Sequence, residues 1–91
     1  MEFEYDPNKS AKNKAKHGVD FEEARELWAD PDALAVPLPF PDEERYMVIG
    51  AMRGKHWSAI ATKRPPNTRI ISVRRSRKEE VELYEERRQL R

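Results

Sequence analysis

The sequence predicts an α+β domain, with helices packed on a small antiparallel sheet. Three observations predict it. Residues 45–75 hold three strand-like runs joined by two short turns, which is the pattern of an antiparallel meander. Apolar residues recur at helical spacing before that meander and again after it. The order is therefore strand, helix, helix, edge strand, three strands, helix, as in α+β domains. A length of 91 residues suits one domain spanning 1–91 and excludes a doubly wound dinucleotide fold, an α/β barrel or a kinase.

Each element has a local reason. Glu2–Tyr5 alternates polar and aromatic residues, as a half-buried strand does. Asp6-Pro7 opens the first helix: Asp caps it, and Pro is tolerated at the first helical position. That helix runs to Lys16 or His17, where Gly18 can take the left-handed conformation that ends it. Asp20, with Glu23 three residues on, has the capping-box spacing for a second helix. Phe21, Ala24, Leu27 and Trp28 form its apolar stripe, and Pro31 follows its end. Ala33–Leu38, with Pro37 and Pro39, can be only an edge strand or an extended loop. Arg45–Met52, His56–Thr62 and Arg69–Arg75 are the meander, turning at Arg53-Gly54 and at Lys63–Asn67. Ser76, with Glu79 three residues on, is expected to cap the last helix, which carries Val81, Leu83, Tyr84 and Leu90.

Composition narrows the function. Charged residues reach 38%, hydrophobic residues 37%, and mean hydropathy is −1.00. Two Trp, three Tyr and three Phe still supply one small core. The absence of cysteine excludes disulfides, a Cys nucleophile and iron–sulfur chemistry. No window approaches 18 consecutive apolar residues, and no signal-peptide pattern opens the chain, so a soluble cytoplasmic protein is expected. His17 and His56 form no His-x-x-x-His pair, so neither a metal site nor a cofactor is expected. There is no Gly-x-Ser-x-Gly elbow and no Gly-rich phosphate loop.

The net charge of +1 hides a division. Residues 1–44 carry five Lys/Arg against twelve Asp/Glu, a balance of −7; residues 45–91 carry thirteen against five, a balance of +8. Such asymmetry suggests an interaction surface. Lys9, Lys12, Asn13 and Lys16 fall at i, i+3, i+4 and i+7, on one helix face. Arg74, Arg75, Arg77 and Lys78 stand at a strand end and helix start, a pattern suited to phosphate. Cations are the wrong sign for a helix N-terminus unless an anion visits. Metal-free RNA cleavage fits this inventory, because the RNA 2′-OH is itself the nucleophile. The protein need only position it, move protons and stabilise the phosphorane.

Three blocks carry a resemblance. Residues 3–24, F-E-Y-D-P-N-K-S-A-K-N-K-A-K-H-G-V-D-F-E-E-A, resemble the start of the BrnT toxins. E-E-R-Y-M-V-I-G, residues 43–50, resembles that family's next block. R-I-I-S-V-R-R, residues 69–75, followed by Glu80 and Tyr84, resembles its C-terminal signature. The resemblance implies a RelE-like α+β fold and a ribonuclease toxin of a type II toxin–antitoxin module that inhibits translation by RNA cleavage. It also implies a BrnA-like ribbon-helix-helix antitoxin, through which the complex binds operator DNA. Two toxins bridged by an antitoxin dimer are implied, the free toxin being monomeric and no membrane being involved.

By position, the resemblance points to Lys16, His17, Arg45, Arg74, Arg75, Glu80 and Tyr84 as catalytic residues; the charge pattern adds Lys9, Lys12, Arg77 and Lys78 as substrate contacts. Arg74 and Arg75 would clamp phosphate, Glu80 or His17 would move protons, and Tyr84 would stack on a base or donate a hydrogen bond. Structural roles compete: His17 complements a helix C-terminus, Tyr84 has a core spacing from Val81, and Glu80 can pair with Arg77 or Arg87. Lys63 stands where many relatives have a Glu, and Ser76 where they have an Ala. Lys63 motivates a competing function, a catalytically inactive RNA-, ribosome- or antitoxin-binding module. The simplest neutralising surface for a separate antitoxin chain is the basic strand–helix region.

Overall fold

The computed structural model describes residues 1–90. Its elements are β1 (Glu2–Glu4), α1 (Pro7–His17), a 3-10 turn (Glu23–Arg25), α2 (Glu26–Ala29), β2 (Leu34–Pro37), β3 (Arg45–Met52), β4 (Lys55–Arg64), β5 (Asn67–Arg75) and α3 (Lys78–Gln89). The five strands form one sheet in the order β1-β5-β4-β3-β2. The α+β class and the antiparallel meander are both present. The sheet is mixed, however, because β1 joins β5 in parallel, Phe3 opposite Thr68.

Local chemistry explains most boundaries. Asp6 Oδ1 accepts from the Asn8 amide at 2.8 Å, and Gly18 ends α1 at φ 82°. Arg53 and Gly54 both have positive φ, 55° and 76°, as a two-residue hairpin turn requires. Arg53 holds this unusual conformation while bonded to Glu23 and, at 2.7 Å, to Glu26.

Two helix starts differ from expectation. The Asp20–Glu23 box forms, with the Glu23 amide on Asp20 Oδ1 at 2.8 Å and the Asp20 amide on Glu23 Oε1 at 3.0 Å. It opens a 3-10 turn and then a four-residue α2, in place of one continuous helix. Ser10 Oγ holds the Phe21 amide, pinning this turn against α1. Leu27 then meets β3 at Gly50, where an added Cβ would lie 3.3 Å from Leu27 Cδ2. At α3 the cap is Arg77, and the carboxylate reaching back to its amide belongs to Glu80. Ser76 stays extended because its amide donates to the His56 carbonyl, while its hydroxyl bonds Ser58.

Alternation along the strands divides the core. On one face Val19, Phe21, Ala24 and Leu27 pack on Val48, Met52, Trp57, Ala59, Ile70 and Val73. On the other, Tyr84 of α3 packs on Met47 and Ile49. β1 covers β5 only at residues 67–69. Beyond it α1 takes over the edge: Asn13 Oδ1 accepts from the Val73 amide at 3.2 Å.

Candidate functional site

Arg74 and Arg75 end β5 on opposite faces of the sheet, as successive strand residues must. The structure therefore does not bring them together on one phosphate. Arg74 lies under α3 in a bidentate pair with Glu80, Nη1–Oε1 and Nη2–Oε2 both 2.8 Å. Glu80 Oε1 also accepts from Ser58 Oγ at 2.8 Å and from the Arg77 amide at 2.9 Å. Glu80 is only 8% exposed. The Arg74 hydrogen bond, opposed by burial and aided by the Arg77 amide and Ser58, lowers its pKa to about 2. A carboxylate so held is a weak proton acceptor near neutrality. Its partner is Arg74, rather than Arg77 or Arg87.

Arg75 projects on the other face, its guanidinium carbon 5.5 Å from the centre of the Trp57 ring. Trp57 is buried opposite it, and its indole N–H has no acceptor among the described residues. Arg77 and Lys78 come just after, both exposed. Asn13 brings α1 alongside, because its amide bridges Val73 and the Val19 carbonyl, the latter at 2.7 Å. Asn13 is thus the buried anchor of α1, while Lys9, Lys12 and Lys16 remain exposed. His17 lies one turn beyond Asn13 and is half-buried.

Ion pairing sorts the cations. Lys14, Arg25, Arg45, Arg53, Lys63, Arg64, Arg69, Arg74 and Arg88 each have a carboxylate within 4.0 Å. Among the described residues, the side chains of Lys9, Lys12, Lys16, Lys55, Arg75, Arg77, Lys78 and Arg87 have none. The acidic first half thus neutralises much of the basic second half. Of these, Lys9, Lys12 and Lys16 lie on α1, Arg75, Arg77 and Lys78 at or just after the end of β5, Lys55 at the start of β4, and Arg87 on α3.

Tyr84 and Arg45 stand apart from that surface. The Tyr84 hydroxyl donates to Asp30 Oδ2 at 2.7 Å, and its ring is 3% exposed. Burial first, and then Asp30, raise its pKa. Burial works to raise Asp30 as well, yet the Ala51 amide, Tyr84 and the Asp32 amide together hold it below its ordinary value. Arg45 pairs with Glu43 and stacks on Phe40. It aligns with Thr62 of β4 whereas Arg75 aligns with Trp57, a displacement of about 17 Å along the strand.

Sequence reasoning misses Trp57, Ser58 and Asp30, none of which has a motif. It also misses the second imidazole, His56, whose Nε2 lies 3.1 Å from Glu85 Oε2 with Tyr84 against its ring. Among the described residues no group of three His, Asp or Glu is placed to hold a metal ion, and no helix is long and apolar enough to cross a membrane.

Unpaired cations thus stand on α1 and at or just after the end of β5, His17 ends α1, and the part-buried Arg74–Glu80 pair lies on the other face of the sheet. No curated protein matches the chain. The family model described as "Ribonuclease toxin, BrnT, of type II toxin-antitoxin system" matches residues 5–80, which include most of the elements that build this surface. The chain belongs to the BrnT family of type II toxin–antitoxin ribonuclease toxins.

Proposed function

We propose that the chain cleaves RNA without a metal ion, on the cationic surface where α1 meets the end of β5. The sorting of cations carries this reading: most of those without carboxylate partners gather there. Phosphate would sit among Lys16, Arg75, Arg77 and Lys78, with Lys9 and Lys12 extending the track. His17 takes the proton of the 2′-OH; O2′ attacks phosphorus and the bond to the 5′-oxygen breaks. Lys16 or water returns a proton to the leaving oxygen, giving a 2′,3′-cyclic phosphate and a 5′-OH. Arg74, Glu80 and Tyr84 act as positioning residues, and Arg45 serves a separate surface. Cutting RNA in the cytoplasm inhibits translation. A BrnA-like ribbon-helix-helix antitoxin neutralises the monomeric toxin in a heterotetramer that binds operator DNA through the antitoxin.

One observation favours a second reading. Arg74, Glu80 and Tyr84 are all committed to internal hydrogen bonds, so the scaffold would stand equally as a binding module. One experiment separates the two: purified chain with RNA in EDTA, beside an Arg75→Ala/Arg77→Ala variant. Cleavage by the wild type, reduced about 100-fold or more in the variant, is expected. No cleavage, or equal cleavage by both, overturns the mechanism; binding without cleavage establishes the module.

A further inference from the structure

The apolar groove beside β2 is separate from the cationic surface. It encloses about 770 Å³. Ala35 and Pro37 of β2 and Tyr46 and Val48 of β3 floor it, and Trp28 and Phe40 flank it. Phe40 is 47% exposed and is held there by the Arg45 guanidinium, 4.5 Å from its ring centre.

β2 is an edge strand with an open side. The Leu38 amide donates inward to the Arg45 carbonyl at 2.9 Å. By the alternation of an antiparallel ladder, Val36 and Leu34 also point their backbone groups inward. The Ala35 N–H and the Ala35 and Pro37 carbonyls therefore point outward, without a strand to bond.

We infer that this edge and groove seat an extended segment of the protein antitoxin, which adds a strand to β2 and places apolar side chains at alternate positions in the groove. The inference rests on the reading that a separate antitoxin chain neutralises this one. Charge selects the occupant. Asp42 is exposed and has no cationic partner among the described residues, and the Glu44 carboxylate is 80% exposed with Lys63 only at 4.0 Å. Arg45 is paired with Glu43, so Asp42 and Glu44 against Lys63 leave the groove net negative, which disfavours a polyanion such as RNA and suits a basic side chain flanking the apolar ones. A second copy fits poorly. Antiparallel pairing of two β2 edges centred on Ala35 gives just the reciprocal Ala35 bonds, because Pro37 offers no N–H and the Ala33 N–H is already given to the Asp30 carbonyl at 3.0 Å.

Hydrogen–deuterium exchange on the full chain, alone and with its co-expressed cognate antitoxin, tests this at the Ala35 amide. Exchange there is expected to slow about tenfold or more in the complex. Phe40→Ser, a change at an exposed position, is expected to weaken antitoxin binding about tenfold or more with RNA cleavage unchanged. Unaltered exchange at Ala35 in the complex, with protection falling only on residues 74–78, overturns the inference. So does protection that appears on concentrating the chain alone, or on adding an RNA oligonucleotide. A chain that cuts no RNA but is protected at Ala35 by antitoxin sinks the ribonuclease reading and leaves this one standing; neutralisation of an active chain without that protection does the reverse.

Discussion

The Arg74 guanidinium and the Glu80 carboxylate face each other in two parallel hydrogen bonds of 2.8 Å, joining the end of β5 to the first turn of α3. This pair is a joint of the fold before it is a contact for RNA. Removing one partner strands a partly desolvated charge, at a cost of about 2–3 kcal/mol. Arg74→Ala and Glu80→Ala are each expected to lower stability by that order in urea unfolding. An Arg74→Met/Glu80→Leu double variant should recover only part of the loss, because Ser58 and the Arg77 amide still lose their acceptor. Equal losses that simply add would show that the two do not act as a pair.

Acid should release the same joint. The Glu80 pKa falls from 4.5 to about 2 in the fold, so the unfolded chain binds the proton more readily. Its contribution is full above about pH 4.5 and is lost as pH drops towards 2, up to about 3 kcal/mol. Glu23, lowered to about 2 by Lys14, the Asp20 amide and Arg53, loses its contribution over the same window. Melting temperature measured from pH 6 to pH 2 should fall steeply in the wild type and less steeply in Glu80→Gln. An identical acid limb in both proteins would remove Glu80 from this account.

The two neighbouring arginines should separate in salt. Arg75→Gln is expected to weaken binding of a single-stranded RNA and lower the slope of log K against log salt by about 0.7, with stability changed by about 1 kcal/mol or less. Arg74→Gln should reverse the pattern, with a slope near that of the wild type and a clear loss of stability. Fluorescence anisotropy across a salt series reads both. A reduced slope in Arg74→Gln at unchanged stability would move the phosphate contact to the α3 face.

Tyr84→Phe keeps the ring and removes only the bond to Asp30, whose carboxylate retains the Ala51 and Asp32 amides. A loss of about 1–2 kcal/mol is expected, with RNA cleavage retained. Abolished cleavage in a folded Tyr84→Phe would instead make the hydroxyl part of the chemistry.

How far the sequence reaches depends on the range of the interaction. Arg45–Met52 has the same bounds in sequence and structure, because strand alternation and turn residues are local signals. The opposite directions of Arg74 and Arg75 come from the same period of two, so a phosphate clamp built from adjacent strand arginines conflicts with the strand itself. The Ser76 cap fails by one residue because the choice is made by Ser58 and Arg74, which gather the Glu80 carboxylate from the sheet. The cationic surface is legible only in part. Its residues have visible charges, but which of them keep free charges depends on ion pairs such as Arg53–Glu26 and Arg69–Glu4, which close over long stretches of chain.

Asn13 shows the cost of reading a helix face from spacing alone. It falls in register with three exposed lysines, yet its amide is the bolt between α1 and β5. Asn13→Ala leaves the Val73 N–H buried and unpaired, and should cost about 2–3 kcal/mol. Asn13→Asp keeps an acceptor for Val73 but buries a carboxylate against the Val19 carbonyl, so its loss should be at least as large at neutral pH. If α1 carries Lys16 and His17 to the phosphate, loosening it must reach the chemistry. Below its melting temperature, Asn13→Ala should then lose RNA cleavage and lower the salt slope of binding, because α1 carries Lys9, Lys12 and Lys16 together. Comparing cleavage rates at a temperature where circular dichroism shows both variants folded decides the matter. Full activity in folded Asn13→Ala would detach α1 from the reaction.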